Sequence, residues 1–160
     1  MTPSTTTLSV HPLRAFLGTW KTEGTVWNGA GGPGTRFQAT DTYEWLDGGA
    51  FLVHRWETTM PGGDAVGIEI IGYDPTTDSF PMYAFDSDGN TTILDARVSD
   101  RTWTFTGVHG RDRIRFTGRF HDDGQRLAGI WERRPSDATG WLPWIDVTLR
   151  RETTRDDGAA

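Results

Sequence analysis

A hydrophobic alternation of period two, interrupted at short intervals by turn residues, constrains this chain more than any other feature. Period two sends successive side chains to opposite faces of an extended strand. The pattern predicts ten strands, at about Thr19 to Trp27, Thr35 to Trp45, Ala50 to Met60, Ala65 to Tyr73 and Phe80 to Phe85, then Thr91 to Val98, Thr102 to Gly107, Asp112 to Phe120, Arg126 to Arg134 and Trp144 to Arg151. The breaks carry turn chemistry: Asp47-Gly48-Gly49, Pro61-Gly62-Gly63-Asp64, Asp74-Pro75-Thr76-Thr77-Asp78, Asp86-Ser87-Asp88-Gly89-Asn90, Ser99-Asp100 and Asp122-Asp123-Gly124. Spacing this close makes successive hairpins. A meander of about ten strands loses its two open edges most simply by curling into a single closed up-and-down antiparallel β-barrel, so the expected class is all-β.

The ends differ from the body. Residues 1–10 are polar and threonine-rich and residues 153–160 are charged, so both read as disordered tails around a barrel domain spanning 11–152. His11 to Leu17 is expected to form one short helical turn, with Pro12 tolerated near its start. Asn28 to Gly34 (NGAGGPG) is the most flexible connection and could act as a lid.

Charge and composition exclude several classes. With a net charge of -6 and its 16 basic residues scattered, the chain lacks the positive footprint of a nucleic-acid binder. Without cysteine it has no disulfide, thiolate metal site or thiol nucleophile. No segment approaches the roughly 20 apolar residues of a membrane-spanning helix. The opening MTPSTTTLSV lacks the basic and apolar parts of a signal peptide, so a cytoplasmic location is expected.

A barrel of more than about eight strands is too wide for side chains alone to fill, which predicts an internal ligand cavity. Closing the hairpin at Pro61 to Asp64 puts Trp56 opposite Glu69 and His54 opposite Ile71, with His54 and Glu69 as diagonal neighbours. Extended onward, this register places Met82, Ala84, Ile93, Asp95, Arg97 and Thr104 on the same face. The other face collects Phe51, Val53, Ile68, Ile70, Tyr83, Phe85, Leu94, Trp103 and Phe105. The first face, mixing apolar walls with a few polar groups, is expected to be the lumen. The ligand-binding candidates are therefore His54, Trp56, Glu69, Ile71, Met82, Asp95 and Arg97. The second face is apolar enough to suggest a homodimer.

Within that set, His54 beside Glu69 is the one pair suited to acid-base catalysis, or else a hydrogen bond that orients a ligand. Asp95 and Arg97, two apart on one strand, are expected to pair with each other. Gly31-Gly32-Pro33-Gly34 lacks the Lys-Ser/Thr ending of a phosphate-binding loop, and the serines form no nucleophile elbow. The four histidines have no metal-ligand spacing, so no metal is expected.

Gly18-Thr19-Trp20, following the short helical turn, resembles the Gly-x-Trp opening of the calycins, the superfamily of lipocalins and fatty-acid-binding proteins. Thr148-Leu149-Arg150-Arg151 is similar to their terminal arginine. That resemblance implies a guanidinium from Arg150 or Arg151 packed over Trp20 at the barrel bottom. Tyr43 to Gly49, Phe51 to Arg55, Gly67 to Asp74, Phe85 to Asn90 and Trp141 to Leu149 resemble an uncharacterised lipocalin-like family known only as a domain of unknown function. A neighbouring family, the haem-binding nitrobindins, shares the barrel and opening tripeptide and holds iron through a histidine near the C-terminus. Trp141 to Arg151 contains no histidine here, so no cofactor is expected, and a haem would need His54 or His121 instead.

The leading expectation is a lipocalin-like protein that holds a hydrophobic or aromatic small molecule inside the barrel, among Trp56, Ile71 and Met82. The alternatives are an isomerase or cyclase using His54 and Glu69, and a nitrobindin-like haem protein.

Overall fold

The computed structural model describes residues 11–29 and 32–153. Except for Thr153, the expected tails over 1–10 and 153–160 lie outside the described residues, as do Ala30 and Gly31 of the glycine-rich loop. Ten strands form one closed barrel: β1 Gly18–Val26, β2 Thr35–Trp45, β3 Leu52–Thr59, β4 Ala65–Ile71, β5 Phe80–Asp86, β6 Thr91–Ser99, β7 Thr102–His109, β8 Asp112–His121, β9 Arg126–Arg134 and β10 Leu142–Arg151. Every strand pairs antiparallel with its sequence neighbours, and β1 closes the ring on β10. A 3-10 turn, Pro12–Phe16, precedes β1. The architecture is the all-β up-and-down barrel that the alternation predicts.

An up-and-down chain sorts its connections to two ends. The links β1–β2, β3–β4, β5–β6, β7–β8 and β9–β10 lie at the upper end, and the N-terminal turn sits at the lower end with the others. Acidic residues make several of these turns. The carboxylate of Asp86 accepts the backbone N–H groups of Asp88 at 2.9 Å and Asn90 at 3.0 Å, holding the chain in a tight reversal.

The lower end is sealed by aromatic packing. Phe16, from the 3-10 turn, reaches up into the barrel and lies 4.9 Å from Trp103, 5.1 Å from Phe120 and 5.3 Å from Tyr43, ring centre to ring centre. Leu13 is buried beside it. Trp20 is fully buried, and its indole N–H donates to the Phe16 carbonyl at 2.7 Å, tying the turn to β1. Over the same indole, 4.1 Å from the ring centre, lies the Arg151 guanidinium. It donates to the carbonyls of Leu17, Ala15 and Gly124, joining the N-terminal turn, the β8–β9 connection and the last strand. Of the two terminal arginines, Arg151 makes this contact, while Arg150 points outward and is exposed.

Two registers differ from the expected ones. Thr58 rather than Met60 pairs with Ala65, so β3 and β4 are offset by two residues and His54 sits directly opposite Glu69. An offset of two preserves the face, and His54, Trp56 and Glu69 remain inside. At the β5–β6 connection the offset is odd. Phe85 pairs with Thr91 across a five-residue loop, Ala84 with Thr92 and Met82 with Leu94, so inside and outside are exchanged for every strand beyond. Leu94, Trp103 and Phe105 are therefore interior, while Asp95 and Arg97 stand on the outer wall. On β4 to β6 that outer wall also exposes Val66, Tyr83, Phe85 and Ile93.

Because one guanidinium combines a cation–π stack with three carbonyl contacts, Arg151→Ala is expected to lower unfolding free energy by about 2–3 kcal/mol. Arg150→Ala should change it by less than about 0.5 kcal/mol. Urea denaturation of the two variants checks the contrast.

Candidate functional site

Above the aromatic floor the barrel opens into a cavity of about 340 Å³. Its walls are mainly apolar and aromatic, with Phe105, Phe116 and Trp131 among them. Glycines make room for these rings: a β-carbon at Gly67 would fall 1.9 Å from the Trp56 ring, so the indole lies against bare backbone there. At the mouth, β10 carries one extra residue between Pro143 and Ile145 relative to β9. This bulge turns both Trp144 and Ile145 toward the cavity, and Trp144 rests 5.5 Å from the ring of His109.

One wall is polar. Asp41 of β2, His54 of β3 and Glu69 of β4 stand on three consecutive strands, each at an inward position. His54 Nε2 lies 2.6 Å from Asp41 Oδ1, and Nδ1 lies 3.1 Å from Glu69 Oε1. The hydroxyl of Thr22, on β1, donates to the other oxygen of Asp41. Tyr43, the cross-strand partner of His54, stacks on the imidazole with ring centres 4.0 Å apart and planes inclined by 4°. Asp41 and Glu69 are only 7% and 6% exposed, so the cluster is removed from bulk water.

Burial penalises a charged imidazole and would lower its pKa. The hydrogen bonds and negative charges of Asp41 and Glu69 outweigh that penalty and raise His54 to about 9. His54 is therefore an imidazolium at neutral pH, donating from both ring nitrogens. Burial, together with Asp41 and Glu69, pushes the Tyr43 phenol well above its ordinary value, so it stays neutral. The arrangement holds a proton firmly in place. It does not leave His54 a free lone pair with which to accept one from a substrate.

The placements of the expected residues divide into three. His54, Trp56 and Glu69 line the cavity. Ile71 and Met82 also point inward but lie lower, packed with Leu13 around a residual void of about 10 Å³. That void is at the lower limit for holding a single water, so these two residues belong to the floor. Asp95 and Arg97 form the expected pair, at 3.4 Å, but do so on the exposed outer wall because of the odd offset at the β5–β6 loop. Asp41, Thr22 and Tyr43 are the site residues that sequence reasoning missed. A signal for two of them was present: pairing Trp45 with Leu52 across the β2–β3 turn sets Asp41 and Tyr43 next to His54.

The residues do not fit a haem held by either expected histidine. An axial ligand needs an unprotonated nitrogen directed at the iron. Both nitrogens of His54 are engaged by carboxylates, and His121 closes β8 at the lower end, away from the cavity.

The closed ten-strand meander, its Trp20–Arg151 seal and its internal cavity define an up-and-down barrel with a calycin-like fold. Solved structures share the fold. The S-type phycobiliprotein lyase CPES from Guillardia theta superposes with a TM-score of 0.67 at 9% identity, over 89% of this chain and 92% of that one. Rv2717c from M. tuberculosis gives 0.64 at 12% identity, over 89% and 98%. Residues 8–117 match the family described as protein of unknown function (DUF1579), and the chain belongs to that family. No curated protein matches it.

The raised pKa of His54 has a definite sign for stability. The folded protein retains the imidazolium proton up to about pH 9, whereas the unfolded chain releases it near 6.5. The stabilisation is complete below about pH 6.5 and is lost as pH rises through 9, amounting to about 3 kcal/mol. Chemical denaturation across pH 6 to 9 should show this decline in the native protein and a clearly shallower profile over the same window for His54→Gln.

Proposed function

We propose that this protein binds one small, largely apolar or aromatic molecule in the upper barrel cavity, oriented by the Asp41–His54–Glu69 cluster. The observation that carries the reading is the cavity itself. At about 340 Å³ it falls within the range of small-molecule sites, at roughly 300–1,000 Å³. Its apolar walls converge on one polar group, the usual division between affinity and orientation. The barrel shared with a phycobiliprotein lyase supports the reading through the fold alone.

The cluster supports binding over proton transfer. A clamped imidazolium offers fixed charge and geometry, whereas acid-base turnover needs a group whose proton is exchanged at working pH. Trp56 stands beside the His54 ring, so an aromatic ligand has a ring partner next to the polar wall.

The neutral fluorescent probe N-phenyl-1-naphthylamine tests the proposal. It should bind saturably with a stoichiometry of one per chain. Ala39 lines the cavity, and Ala39→Trp fills space without breaking any polar contact. That variant should remain folded by circular dichroism and lose at least about tenfold in probe affinity, or about 1.4 kcal/mol. Equal binding by the filled variant would place the probe elsewhere and remove the cavity as the site.

A further inference from the structure

The charged groups on the cavity wall do not balance. Asp41 and Glu69 bring two carboxyl groups against the one imidazole of His54, so two acids face a single base on the cavity wall. Among the described residues no lysine or arginine lines the cavity, and His109 stands at the mouth, beside Trp144. The excess also has a direction. Glu69 Oε1 takes the imidazole N–H, while Oε2 takes no hydrogen bond among the described residues. Since no buried side-chain oxygen or nitrogen among them is both sealed and unpartnered, that oxygen faces the open cavity.

An unbalanced carboxylate in a largely apolar cavity is costly unless a cation or strong donor meets it. Beside the same point stands Trp56, 5.4 Å from the His54 ring, and an aromatic face attracts cations through its quadrupole. A carboxylate-headed ligand would instead add a third negative charge opposite a single imidazolium whose two N–H groups are already spent.

We propose that the natural occupant is a protonated amine on an aromatic or apolar body, its ammonium nitrogen donating to Glu69 Oε2 beside the ring of Trp56. This inference rests on the cavity being a ligand site and specifies the class of ligand. Fatty acids and other apolar carboxylates are excluded by the same charges. The match is electrostatic and steric, and no covalent step is involved.

A charge series on one indole body tests it: tryptamine, tryptophol and indole-3-propionate, titrated calorimetrically into the full chain at pH 7. Tryptamine should bind at least about tenfold more tightly than tryptophol, in line with a charge-assisted hydrogen bond, and indole-3-propionate should bind more weakly than either. Glu69→Gln should reduce the tryptamine preference to about threefold or less. The wild-type series decides the question even if that variant does not fold. Equal affinities, or tighter binding of the propionate, overturn the amine assignment while leaving the cavity as a binding site. If N-phenyl-1-naphthylamine binds and none of the three indoles does, the assignment also fails. If the naphthylamine fails as well, the cavity reading falls with it.

Discussion

A ten-strand barrel satisfies its backbone hydrogen bonds by closure and in doing so creates an interior wider than its inward side chains can fill. Everything functional here follows from how that space is divided. The 3-10 turn supplies Leu13 and Phe16 as a stopper, and Trp20 with Arg151 locks the stopper to both ends of the chain. What remains above is a half-barrel void with a solid base. Because the base consumes the lower inward residues, only the middle and upper positions of each strand can touch a guest.

The polar wall is placed by the same geometry. Three neighbouring strands each contribute one titratable side chain at a similar height, and antiparallel pairing brings them within hydrogen-bond reach. The cost of desolvating these ions is several kcal/mol each, and two charge-assisted hydrogen bonds, at about 1.5–3 kcal/mol apiece, offset only part of it. The cluster is thus no net source of stability as a unit, and removing one member leaves the others uncompensated. Its contribution is orientation, since it breaks the sameness of an otherwise aromatic cylinder.

Local chemistry made much of this legible in the sequence. Alternation and turn residues specify ten strands, and Gly18-Thr19-Trp20 marks the entry to the first. His54, Trp56 and Glu69 could be assigned to one face because a register error of two does not alter sidedness. Asp95 and Arg97 could not be placed reliably, because the loop at Asp86 to Asn90 closes with an odd offset that only its three-dimensional hydrogen bonding fixes. Ile71 and Met82 were read as ligand contacts for a different reason: alternation reports that a residue points inward, but not whether the N-terminal turn will occupy the space in front of it. Asp41 becomes legible only once β2 is paired to β3, because that register alone sets it beside His54.

The β10 bulge gives the doorway of the barrel an unusual independence. Trp144 sits between two ladder pairs, Pro143 with Glu132 and Ile145 with Trp131, and is itself unpaired with β9. Exchanging that indole for a smaller or larger group therefore changes the aperture without cutting into the hydrogen-bonded wall. For the proposed guest, the size of that indole would set the rates of entry and escape, while the tightness of the seated complex would be determined deeper down.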